Sequence, residues 1–235
     1  MFAVIFEVEP KPERFQEYLD LAKALRPELE RIDGFIVIDR FASKHREGRL
    51  LSLSSWRNEK ALIRWRTHAG HHAAQERGRF EIFSDYRLRV GEVTADSHLP
   101  KDAVRQERFD ETEIAPAKIA TATEVVMNAN DPATRPDLLA SRLGLDLDGK
   151  GVVEHELYES IYHPGKSVLL VSWRDADAAQ LWTPAKPDSA EAIRHRHVRI
   201  IRDYGMFERR EAPQYYAAVE RPAARRAERK RTAAG

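Results

Sequence analysis

Apolar residues in this chain alternate, then recur at helical spacing, then alternate again, and the whole succession occurs twice. Phe2 to Val8 reads as a strand, and the Pro-x-Pro break at Pro10 and Pro12 ends it. Phe15, Leu19, Ala22, Leu29 and Ile32 follow at helical spacing, which predicts an amphipathic helix from about Glu13 to Arg31, bent near Pro27 and stopped at Asp33-Gly34. The runs Phe35 to Phe41 and Leu50 to Ser54, on either side of a turn at Gly48, predict a hairpin. A helix carrying Trp65 comes next, and then a long strand from Phe80 to Val93.

The second pass runs in the same order. Ile119 to Met127 is a strand and Pro136 to Arg142 a shorter helix; Val153 to Ile161 and Val168 to Val171 flank a turn at His163-Pro164-Gly165. Trp173 and Trp182 repeat the spacing of Trp56 and Trp65, and each pair is followed at nearly the same distance by Asp-Tyr, at Asp85-Tyr86 and Asp203-Tyr204. Such recurrence points to one small unit used twice. Asn58 and Asp175 stand where a short polar side chain can accept a bond from the first free amides of a helix. The order β-α-β-β-α-β is the split βαβ pattern of ferredoxin-like folds, an α+β class whose sheet has helices on one face only. A second unit would bury the other face. The expected organisation is therefore unit one at 1–95, a polar linker at 96–116, a divergent second unit at 117–215 and a basic tail without regular structure at 216–235.

Composition narrows the function classes. With 42% hydrophobic and 33% charged residues in 235, the chain has the balance of a soluble globular protein. No apolar run is long enough to cross a bilayer and the first residues read as a strand, so a cytoplasmic location with no membrane partner is expected. A net charge of +1 offers nucleic acid no general attraction, and the arginines from Arg221 to Arg231 read as a solvated tail. The chain has no cysteine, which removes disulfides, thiolate catalysis and cysteine-ligated metals. Catalysis is left to His, Tyr, Trp, Asp, Glu or a bound cofactor.

Three stretches carry a family resemblance: Ser54-Ser55-Trp56-Arg57-Asn58-Glu59, Leu62-Ile63-Arg64-Trp65-Arg66-Thr67-His68 and Phe83-Ser84-Asp85-Tyr86-Arg87-Leu88. Together they resemble the antibiotic biosynthesis monooxygenase (ABM) family, over about residues 1 to 95 and more weakly from Val168 to Tyr204. The resemblance implies two ferredoxin-like units packed sheet against sheet as a dimeric α+β barrel, either inside one chain or between the chains of a homodimer. It implies an oxygenase acting on a small aromatic or otherwise oxidisable metabolite. The alternatives are a haem-binding protein with a histidine on the iron and a non-catalytic ligand-binding barrel, so the cofactor expectation is none or haem. Haem-degrading members use an Asn on the first strand and a His farther along the Trp helix. Here Phe2 to Val8 contains no Asn, and Gln75 stands where that His would be.

The richest stretch for chemistry is Trp65-Arg66-Thr67-His68-Ala69-Gly70-His71-His72-Ala73-Ala74-Gln75. On one continuous helix His72 lies about 20° from Trp65, His68 about 60° and His71 about 120°. Trp65, His68 and His72 then share a face unless Gly70 breaks the helix. His68 or His72 is the candidate catalytic base beside the Trp65 wall, and His71 or His72 the axial ligand if haem binds. The plain structural reading makes Trp65 a core residue and the histidines partly exposed. Trp65 and Tyr86 are candidate substrate contacts, with Tyr204 at the matching position of the second unit. After Trp182, Pro184 and Pro187 forbid a continuous helix. His195 and His197 point the same way from an extended segment, without a third ligand at convincing spacing, so no metal is expected.

Overall fold

The computed structural model describes residues 1–99, 108–127 and 136–221. Unit one contains β1 (Phe2–Pro10), α1 (Phe15–Ala24), α2 (Arg26–Glu30), β2 (Phe35–Ser43), β3 (Leu50–Trp56), α3 (Glu59–Arg66), α4 (Ala69–Arg77) and β4 (Phe83–Asp96). Unit two contains β5 (Ile119–Met127), α5 (Pro136–Arg142), β6 (Val152–Ser160), β7 (Lys166–Trp173), α6 (Ala176–Gln180) and β8 (Ala190–Gly205). The long first helix expected from periodicity is divided at Leu25, the residue before Arg26 and Pro27, which open α2. Asn58 and Asp175 do cap their helices, accepting from the amides of Ala61 at 2.9 Å and Ala178 at 2.8 Å.

Eight antiparallel strands close a barrel in the order β1-β3-β2-β6-β7-β5-β8-β4, entirely within one chain. One seam joins β4 to β8 over a long stretch, and the other joins β2 to β6 through Phe41, Ala42 and Ser43. Alternation along β1 divides its side chains. Ala3 and Ile5 face the barrel interior, whereas Phe2, Val4, Phe6 and Val8 face the helices. The barrel interior holds Phe41, Leu51, Leu53, Tyr158, Leu170 and Val198 among others. Unit two's helices cover a separate core that includes Leu139, Leu143, Leu157 and Trp182.

The two units match at single residues. Gly34 (φ 89°) and Gly151 (φ 97°) both take a left-handed turn, and a Cβ on either would stand 2.6 or 2.4 Å from the Cβ of Ala61 or Ala178. Trp56 pairs with Phe2 and Trp173 with Ile119, at corresponding strand ends. The repeated Asp-Tyr does not correspond. Glu7 pairs with Arg87 across β1 and β4, and Glu124 with Arg194 across β5 and β8. Arg87 therefore corresponds to Arg194, and the acid bound by Arg87 is Asp203, while Arg194 binds Asp96. Asp203 is thus the counterpart of Asp96, and Tyr204 is not the counterpart of Tyr86. Because β4 and β8 pair with each other, Tyr204 lies opposite Leu88, beside Tyr86 on the same face of the sheet.

Charged side chains inside the barrel obey the same symmetry. Buried Glu7 accepts from Arg89 at 2.6 Å, Arg49 at 2.7 Å and the Tyr158 hydroxyl at 2.6 Å. Glu124 in unit two pairs with Arg196 and Lys166. Arg89 also donates to Ser172 of unit two and Arg196 to Ser55 of unit one, so each network ties one unit to the other. Although burial alone would raise it, the Glu7 pKa is held down to about 2 by Arg89, Arg49 and the Tyr158 bond.

Candidate active site

The helix carrying Trp65 is not continuous. The Thr67 hydroxyl donates back to the Ile63 carbonyl at 2.9 Å, and His68 takes an extended conformation (ψ 131°) before α4 starts at Ala69. The break falls before Gly70 and rotates the histidines relative to Trp65. His71, placed far from Trp65 by uninterrupted helical geometry, stacks on it with ring centroids 4.3 Å apart and planes 14° apart. His68 lies beside the same indole at 5.6 Å and turns its Nδ1 toward Glu28 at 3.4 Å. Exposed His72 stacks instead on Tyr216, with Nδ1 3.3 Å from the phenol oxygen. The shared face of Trp65, His68 and His72 is therefore replaced by a Trp65 and His71 pair.

A cavity of about 210 Å³ lies between the helices of unit one and the outer face of its sheet, and His71 is the histidine that lines it. Its walls are mainly apolar, including Phe6, Leu25, Ile38, Trp56, Leu62 and Trp65. Tyr86 also lines it. The Tyr86 oxygen accepts from Arg79 at 3.2 Å and Arg209 at 3.0 Å, which leaves its own O–H to donate.

Unit two completes this cavity. β8 supplies Arg202 and Tyr204, and the chain after it supplies Arg209, Pro213, Gln214 and Tyr216. Tyr216 is held by a bond from its hydroxyl to Gln75 at 3.2 Å and by the guanidinium groups of Arg79 and Arg209 over its ring. Sequence reasoning assigned this residue to the tail. The one available signal was the aromatic pair Tyr215-Tyr216 just ahead of the arginines. Most of the proposed tail, residues 222–235, lies outside the described residues. In unit two Trp182 belongs to the buried core, stacks on Trp173 and donates to the Leu143 carbonyl at 3.1 Å.

His71 Nδ1 lies 3.0 Å from the Trp65 carbonyl. The same Nδ1 lies 3.0 Å from Gln75 Nε2, so it either donates to the carbonyl or accepts from the amide; the tautomer that donates to the carbonyl leaves a lone pair on Nε2. Burial lowers the His71 pKa to about 4, with a contribution from the neighbouring His68 and His72, and the ring is neutral at pH 7. Burial raises the Tyr204 hydroxyl to about 12, so it remains a donor. A haem does not fit this arrangement. Of the candidate ligands His68, His71 and His72, only His71 lines the cavity, and Trp65, the expected porphyrin wall, covers the imidazole itself. The volume is also below the roughly 300 Å³ at which ordinary small-molecule sites begin.

His195 and His197 face each other on the unit-two side, with Nε2 atoms 2.9 Å apart, and Thr123 Oγ1 lies 2.8 Å from His195 Nδ1. One Nε2 must donate and the other accept. A tetrahedral zinc bound by both would hold the nitrogens about 3.3 Å apart, and among the described residues no group of three or more metal-ligating side chains occurs. Burial lowers the His195 pKa to about 4, with a contribution from His197. Its value in the unfolded chain is about 6.5, so the unfolded state takes up a proton first, and stability falls as pH drops from about 6.5 toward 4. The acids with lowered values, Glu7 among them, act below about 4.5. Calorimetric melting between pH 7 and pH 5 should therefore report histidines. His195→Gln is expected to flatten that slope by up to about 1.4 kcal/mol per pH unit; an unchanged slope would show that His195 is not buried neutral.

Comparison with known proteins places these features in context. Residues 1–77 match the sequence model of a family described as Antibiotic biosynthesis monooxygenase. Over 220 residues the chain is 42% identical to a protein of Pyricularia oryzae named jasmonate monooxygenase ABM, covering 92% of this chain and 98% of that one. It is 30% identical over 92 residues to the uncharacterised protein YqjZ of Bacillus subtilis, covering 39% of this chain and 78% of that one. Among solved structures, an aldoxime dehydratase aligns with a TM-score of 0.50 at 13% identity, over 85% of this chain and 80% of the other; this likeness concerns the fold alone.

Proposed function

This chain belongs to the antibiotic biosynthesis monooxygenase family, and from that premise we propose that it oxygenates a jasmonate-like acid: a small, largely apolar carboxylate with an oxidisable ring or chain. The observation that carries the reading is the compact apolar cavity with neutral His71 laid flat on Trp65. The name of the fungal relative supports the substrate class. A cavity of about 210 Å³ suits a metabolite smaller than most drugs.

In this reading His71 Nε2 accepts a proton from the substrate as it becomes electron-rich toward oxygen, and the Trp65 face stabilises the imidazolium that forms. Tyr86 and Tyr204 donate to substrate oxygen atoms. The apolar walls exclude water from the reacting carbon.

The test is incubation of the purified protein with jasmonate under isotope-labelled dioxygen, with and without an added reductant. The reductant matters because a monooxygenation sends the second oxygen atom to water and needs two electrons. The expected result is oxygen uptake and a product carrying one labelled atom. A panel of hydroquinones run in parallel separates this substrate class from phenolic ones. Binding without oxygen uptake in any arm would replace the enzyme by a ligand-binding barrel.

A further inference from the structure

We propose that Arg66, the last residue of α3, is the anchor of a carboxylate subsite in the cavity, with Arg202 and Tyr204 beside it. This rests on the reading above insofar as the ligand is an organic acid, but the observations behind it concern charge alone.

Four arginines line the cavity: Arg40, Arg66, Arg202 and Arg209. Arg209 donates to Tyr86 and to the Gln214 carbonyl, and Arg40 bonds the Tyr18 hydroxyl. Among the described residues Arg202 reaches only the Glu211 carbonyl, at 3.5 Å. Arg66 is half-buried; its Nε is hidden from solvent without a partner, as is that of Arg40, but unlike Arg40 the rest of its guanidinium also has no hydrogen-bond or ion-pair partner among the described residues. The position at a helix C-terminus favours a cation but does not account for a buried donor left unpaired.

The cavity offers Arg66 no internal counterion. Its one lining carboxylate, Glu59, accepts two bonds from Arg108, at 2.9 and 2.7 Å. A half-buried guanidinium beside apolar walls is well placed to meet an anion, and its planar fork matches a carboxylate at two points. Tyr204, which feels the positive charge of both Arg66 and Arg202, stays protonated and adds a donor. An acid entering with its carboxylate on Arg66 would place its apolar body against Trp65 and Leu62.

Two matched pairs test the assignment: jasmonate with methyl jasmonate, and octanoate with methyl octanoate, each titrated calorimetrically against the wild-type protein, Arg66→Gln and Arg66→Lys. At least one acid is expected to bind the wild type ten times or more tightly than its ester. Arg66→Gln should remove that preference while leaving ester affinity in place, and Arg66→Lys should recover part of it. Octanoate preference without any jasmonate binding would retire the substrate reading and keep the subsite. Equal affinity for acids and esters in the wild type, no binding of either acid, or an acid preference that survives Arg66→Gln would overturn the subsite.

Discussion

Replacing His71 with phenylalanine is expected to lower kcat/KM for the oxygenated substrate by roughly 10²–10⁴-fold, the usual contribution of a positioned acid–base group. Phenylalanine keeps a flat ring against Trp65, so the stack and the cavity wall survive and the loss reports on Nε2. The pH profile adds a readout that packing alone would not move. His71 has its pKa lowered to about 4 by burial, so the acid limb of kcat/KM should fall near pH 4 and not near the ordinary 6.5 of a free imidazole. The low value is also a cost. A base so reluctant to take a proton needs help, and the Trp65 face beneath the ring and a substrate anion nearby are the groups placed to give it. His68→Ala and His72→Ala should remain close to wild type, because one faces Glu28 and the other Tyr216. Full activity in His71→Phe, or the larger loss in His72→Ala, would return the catalytic assignment to the opposite face of α4.

The fold was legible in the chain because its signals are local and occur twice. Alternation gave the strands, Asn58 and Asp175 marked their helix starts, and Gly34 and Gly48 found the turns. That the barrel closes within one chain was not legible, since the β4 and β8 seam joins residues a hundred or more positions apart. The repeated Asp-Tyr misled for the same reason. It matches by position after Trp56 and Trp173, but the β-ladder register pairs Arg87 with Gly205 and sets Tyr204 beside Tyr86. The site was half legible. Trp65 and Tyr86 line the cavity, but the choice among the histidines depended on uninterrupted helical geometry, and the helix breaks at His68. Arg202, Arg209 and Tyr216 reach the cavity from unit two, where nothing in unit one's own pattern could point to them.

Glu7→Ala is expected to be the most damaging single change to stability, although Glu7 faces the barrel interior and does not line the cavity. The carboxylate is 5% exposed and bonds Arg89, Arg49 and Tyr158 together, and the Arg89 side chain is 2% exposed. Removing it leaves the buried Arg89 guanidinium with only the longer pair to Glu154, at 3.5 Å, a loss of about 3–5 kcal/mol that urea denaturation should show as a lower midpoint with little change in slope. The pH dependence gives the same scale. The folded-state pKa of about 2 lies below the unfolded value near 4.5, so Glu7 contributes about 3 kcal/mol at neutral pH, and this is lost as pH falls from about 4.5 toward 2. Arg89→Met in the Glu7→Leu background should recover most of the stability, because an apolar pair needs no countercharge and fits the surrounding Ile5, Leu51 and Leu170. If the single and double variants were equally unstable, the loss would belong to Arg49 and Tyr158 or to packing and not to the Arg89 charge. Glu124→Ala, acting on Arg196 and Lys166, is the internal control: a comparable loss there would mean that both networks hold the two units in one barrel. A much smaller loss would mean that the joint is held mainly at the Glu7 end, the end that borders the cavity strand β4.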